Sequence, residues 1–81
     1  MDFCLVVFAS ATTVNRVKSV LLKKFQINSE IVQTPKAIPA KGCSYSLKIK
    51  TEYADVVWNL IKENGLSSKG IFRESNFEKI K

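Results

Sequence analysis

Eighty-one residues with 46% apolar and 25% charged side chains have the composition of one small globular domain, neither disordered nor large enough to enclose a deep cleft. Thirteen basic residues against seven acidic ones give a formal charge of +6, and histidine is absent. That absence excludes a Ser-His-Asp or Cys-His couple within the chain, and it leaves only two cysteines and carboxylates for zinc, an uncommon ligand set.

The eleven lysines attract polyanions or simply keep a surface soluble. The arginines and groove-reading motifs of nucleic-acid binders are missing, so no specific nucleic-acid partner is expected. No apolar run reaches the roughly 18 residues of a membrane span. The start Met1-Asp2 lacks the basic region and cleavage site of a signal peptide. The expectation is a soluble, cytoplasmic protein with no membrane partner.

Phe3 to Ala9 is a continuous apolar run, short and β-branched, and reads as a central strand. Ser10, Ala11, Thr12 and Thr13 then offer hydroxyls suited to capping a helix. Val14, Val17, Leu21 and Phe25 recur at three- and four-residue steps, with Arg16, Lys18, Lys23 and Lys24 opposite, which predicts an amphipathic helix. Glu30 to Thr34 reads as a second strand stopped by Pro35. Pro35 to Gly42, with two prolines and a glycine, is a loop.

From Cys43 the pattern alternates, with Cys43, Tyr45, Leu47 and Ile49 on one face and Ser44, Ser46, Lys48 and Lys50 on the outer one. That is a half-exposed strand. Thr51 is placed to cap a second helix carrying Ala54, Val57, Trp58 and Ile61, which Gly65 ends in the left-handed conformation. Ser68 to Arg73 forms a fourth strand. Residues 1–74 make a single domain, and 75–81 form a polar tail, apolar only at Phe77 and Ile80, that either frays or adds a helical turn.

The order β-α-β-β-α-β predicts an α+β, ferredoxin-like split βαβ. Its four-stranded antiparallel sheet has the order 4-1-3-2, with both helices on one face. This topology puts the end of the first strand, the start of the first helix and the Thr34–Cys43 loop at one end of the sheet. Cys43 is then the candidate reactive thiol, since a helix N-terminus or a nearby lysine favours thiolate. Ser10, Thr12, Thr13, Lys36, Lys41 and Gly42 are the candidate anion-stabilising surround, with Gly42 keeping the sulfur uncrowded. The competing reading is a packed, inert Cys43, because it shares the phase of Tyr45, Leu47 and Ile49. Cys4 reads as buried.

The stretch Ile31-Val32-Gln33-Thr34-Pro35-Lys36-Ala37-Ile38, followed by Gly42-Cys43-Ser44-Tyr45-Ser46-Leu47, resembles the central motif of small bacterial selenium/sulfur carrier-like proteins. Phe8-Ala9-Ser10 and Gly70-Ile71-Phe72-Arg73 agree, so the resemblance covers about residues 3 to 74. Pro39-Ala40 depart from frequent hydroxyl residues and Ser44 from a frequent glycine. The resemblance implies that Cys43 carries sulfur or selenium as a persulfide or selenosulfide, with no cofactor, between donor and acceptor proteins. The alternative is a non-catalytic interaction or regulatory module that dimerises or binds a ligand through the sheet face away from the helices. There the first strand, apolar on both sides, would expose a hydrophobic strip.

Overall fold

The apolar run at the N-terminus forms β1 (Phe3–Phe8), the strand around which the rest assembles. In the computed structural model, which describes residues 2–36, 38, 45–66 and 68–80, it is followed by α1 (Ala11–Phe25), β2 (Glu30–Gln33) and β3 (Tyr45–Lys50). A single 3-10 turn (Thr51–Tyr53), α2 (Ala54–Glu63) and β4 (Gly70–Arg73) complete the chain. The sheet order is β2-β3-β1-β4, which from the opposite edge reads 4-1-3-2. All three pairings are antiparallel, so this is an α+β chain of four antiparallel strands and two helices. No helix among the described residues is long and apolar enough to cross a membrane.

Both helices bury their apolar stripes against the same face of the sheet. Val14, Val17 and Leu21 of α1 and Val57, Leu60 and Ile61 of α2 meet Cys4, Val6, Phe8, Leu47, Ile49 and Ile71 in one cluster. The alternation expected of β3 therefore holds at Leu47 and Ile49. The stripe of α1 ends sooner than its periodicity suggests, because Phe25 is 47% exposed and Leu22 lies beside it in the open.

Each helix ends in its own way. Gly65 takes φ 62°, and the N–H groups of Gly65 and Leu66 donate to the carbonyls of Lys62 and Ile61, which caps α2 as its glycine predicts. On α1 the left-handed position falls to Gln26, at φ 55°, whose N–H donates to Leu21 O. A Cβ there is strained, so Gln26→Gly is expected to stabilise the fold by roughly 0.5–1 kcal/mol, read from urea unfolding of the two proteins.

Two expected caps are absent. Ser10 has the extended backbone of an N-cap but makes no side-chain capping bond. Thr51 opens the 3-10 turn instead of capping α2, and its buried hydroxyl has no partner. After one turn at residues 74–76, the C-terminal segment returns to the sheet. It folds back on β4, with Arg73 N–H donating to Glu78 O, Phe77 N–H to Arg73 O and Ile80 N–H to Ile71 O. Phe77 and Ile80 drive this return by packing on opposite faces of the sheet.

Candidate functional site

Side chains alternate along a strand, so Ser46 and Lys48 look away from the helices while Leu47 and Ile49 look toward them. Register then aligns Val32, Ser46, Val7 and Gly70 in one row across all four strands on the helix-free face. Such a face of an antiparallel sheet commonly meets water. Here it does not.

Leu5 and Val7 are 2% and 0% exposed, in a small apolar cluster with Phe72 and Ile38, edged by Val32 and Phe77. Ile38 belongs to the connection between β2 and β3. The chain that leaves the β2 edge therefore crosses over β3 to reach β1 and β4. Gly70 assists by placing no side chain in the row beside Val7. Burying an isoleucine side chain contributes about 1.5–3 kcal/mol, enough to hold this crossing in place. The hydrophobic strip expected on this face is thus covered within the chain, which corrects the reading of an open apolar surface.

Where the chain crosses β3, Thr34 Oγ1 and Ser46 Oγ lie 2.8 Å apart. Ser46 is fully buried, which corrects its expected exposure on the outer face. A buried hydroxyl left without a partner costs about 1–3 kcal/mol, and Thr34 supplies that partner. A little further on, Ile38 N–H donates to the Pro35 carbonyl at 3.1 Å. Lys48 stays half-buried, 3.1 Å from Glu74 and 4.7 Å from the centre of the Phe3 ring.

The end of β1, the start of α1 and the start of β3 lie together, with Tyr45 opposite both Phe8 and Gln33. At the head of α1, Ser10 and Thr12 are exposed and Thr13 is half-buried. The first turn of α1 holds no acidic residue. Lys36 is exposed on the crossing segment. Lys41, Gly42 and Cys43 lie outside the described residues, as does the expected strand start at Cys43 and Ser44. A shallow cleft lined by Phe3, Asn28, Lys48 and Tyr53 sits at the other end of the sheet. Among the described residues, no three His, Cys, Asp or Glu side chains stand close enough together to hold a metal ion.

Cys4 is a free thiol in the main core, 0% exposed. Burial pushes its pKa up to about 11, against the opposing pull of the Arg73 charge. Only the thiolate is nucleophilic, so Cys4 is chemically silent near neutral pH.

Reading the sequence one element at a time passes over Ile38 and Ser46. The signal for Ile38 was present, as an aliphatic residue between Pro35 and Pro39 in a chain whose first strand needs covering on both faces. Ser46 carried no comparable signal, because its partner is the Thr34 hydroxyl twelve residues away.

A family model described as "Putative Se/S carrier protein-like" matches residues 3–73, from the first residue of β1 to the last of β4. No curated protein and no solved structure matches the chain.

Proposed function

The chain belongs to the Se/S carrier-like family, and from that membership we propose that it holds a sulfane sulfur or selenium on Cys43 and passes it to a partner protein. The observation that carries this reading is the state of the other thiol. Of the two cysteines in the sequence, Cys4 is buried and held protonated, which leaves Cys43 to bear the cargo.

The surroundings are consistent with an anionic adduct. Cys43 is two residues from Tyr45 in sequence, a chain reach of at most about 7 Å, and Tyr45 pairs with Phe8, two residues before Ser10. The N-terminus of α1, with no acid in its first turn and no side-chain cap from Ser10, favours negative charge nearby. Ser10, Thr12, Thr13, Lys36, Lys41 and Gly42 form the proposed surround. The ferredoxin-like reading of the fold belongs to the same proposal, supported by the element order and by the placement of both helices on one face.

In the loading step the Cys43 thiolate attacks the terminal sulfur of a donor persulfide. One S–S bond forms on Cys43 as the donor's S–S bond breaks, and the donor leaves as its thiolate. No net oxidation takes place, and delivery to the acceptor is the same exchange in reverse. The domain acts as a carrier without turnover of its own.

Incubation with a cysteine desulfurase and cysteine, followed by intact-mass and peptide mapping, tests this directly. The wild type and Cys4→Ser are expected to gain sulfur, and Cys43→Ser is expected to gain none. Equal loading of Cys43→Ser, or no adduct on Cys43 in the wild type, would sink the carrier reading.

A further inference from the structure

Charge is spread unevenly over the fold, and its cationic excess is concentrated on α1. That helix carries Arg16, Lys18, Lys23 and Lys24 and no acid, and no acidic residue occurs between Asp2 and Glu30. By contrast α2 carries Asp55, Lys62 and Glu63. Arg16, Lys23 and Lys24 are exposed and Lys18 is half-buried, and among the described residues none of the four forms an ion pair. The same helix holds two of the three large hydrophobic side chains exposed among the described residues, Leu22 at 51% and Phe25 at 47%. We propose that the exposed face of α1 is a docking surface for an acidic protein, the donor that hands sulfur to this chain, an inference that rests on the carrier reading.

Lys18, Leu22 and Phe25 stand four and three residues apart on the helix and so share one face. The surface complementary to it offers an apolar hollow beside a carboxylate. In protein interfaces a few well-packed apolar side chains carry most of the affinity, while charge steers and orients the encounter. The helix is about 22 Å long, no wider than an ordinary interface patch of about 800 Å² per partner, so one protein covers it whole. Other occupants fit less well. A second copy would set four cations against four with no acid between them. A bilayer would gain too little, because a single fatty-acyl chain holds a protein only marginally, and Leu22 and Phe25 bring less apolar surface with Lys18 alongside.

The test is binding of a cysteine desulfurase, the protein donor of the loading assay, measured by biolayer interferometry at low and moderate salt. Wild type and Cys43→Ser are expected to bind alike, because docking does not need the thiol. Leu22→Ser, and the pair Lys23→Glu with Lys24→Glu, are each expected to weaken binding about tenfold or more, the loss in the charge pair shrinking as salt rises. The pair Lys62→Glu with Lys79→Glu makes the same change in net charge on α2 and the C-terminal return, and is expected to stay within about threefold of wild type.

No binding of the wild type would overturn the docking surface, as would equal binding by wild type, Leu22→Ser and the α1 charge pair, or loss of binding in Cys43→Ser. In each case sulfur loading of Cys43 still judges the carrier reading separately. An equal loss in the Lys62 and Lys79 pair would also overturn it, since net charge alone would then account for the binding. Light scattering and sedimentation with phosphatidylglycerol vesicles test the other occupants. A wild-type dimer, or wild-type binding to vesicles, that Leu22→Ser abolishes would give the face to a second copy or a bilayer and overturn the proposal. Cys4 reports folding, since it resists alkylation at neutral pH while the core is intact; should Leu22→Ser or the α1 charge pair lose that protection, the other decides alone.

Discussion

Val7→Asp is expected to destabilise the fold by more than about 4 kcal/mol, although Val7 points away from both helices. The residue is 0% exposed on a face where an antiparallel sheet ordinarily tolerates polar side chains. Its neighbours across the row are Ser46 and Gly70, and Ile38 completes the cluster that holds it. A carboxylate there enters the apolar cluster of Leu5, Ile38 and Phe72, beside a Ser46 hydroxyl already paired with Thr34, and must either unfold the cover or be protonated. Domains of this size are stable by about 4–12 kcal/mol in all, on the usual figure per residue. Urea unfolding followed by Trp58 fluorescence is therefore expected to show a protein near its limit or already unfolded. If the face were instead a bare surface awaiting a second copy, the monomer would accept the aspartate at a cost below about 1 kcal/mol. The substitution thus separates a covered face from a dimerisation face without reference to any partner. A small effect would mean that Ile38 does not cover Val7 in solution.

Local pattern was enough for the elements and for their inner faces. The run Phe3–Phe8, the steps Val14-Val17-Leu21 and the alternation around Leu47 and Ile49 each report a contact made by the element itself. The failures share one cause, which is that periodicity gives the direction of a side chain and not what lies beyond it. Phe25 follows the stripe of α1 yet lies 47% exposed, since phase does not say how far the sheet extends beneath a helix. Ser46 lies on the face its phase gives yet is buried, and its hydroxyl pairs with Thr34, beyond the end of β2, rather than with a neighbour on its own strand. Phe77 and Ile80, read as isolated apolar residues in a polar tail, return to β4 through contacts that only the assembled sheet provides. At the candidate site, the nearness of Ser10 to the start of β3 followed from strand order alone. The pairing of Thr34 with Ser46 did not, since two hydroxyls twelve residues apart in sequence carry no mark of their contact.

Raising the pH from about 9 to about 11 is expected to remove about 2–3 kcal/mol of stability through Cys4 alone, at 1.36 kcal/mol for each unit of its raised pKa. The sign follows from proton counting. In the unfolded chain this thiol ionises from its ordinary value of 9.0, whereas in the folded protein it keeps its proton to about 11. Between those values the folded state binds more protons, so its stability is complete below the window, falls as pH rises through it, and levels off above. Other groups ionise over the same range, so the diagnostic quantity is the difference in slope between wild type and Cys4→Ala, measured by urea unfolding at several alkaline pH values. The variant is less stable throughout because it leaves a small void, but it should lack this component of the slope. Parallel slopes would mean that Cys4 reaches water in the folded protein. The consequence for the carrier reading is direct. A thiol with a pKa near 11 is ionised in only about one molecule in ten thousand at pH 7. Cys4 cannot then compete for a donor's sulfur, and cargo found on this protein at neutral pH would have to be sought on Cys43.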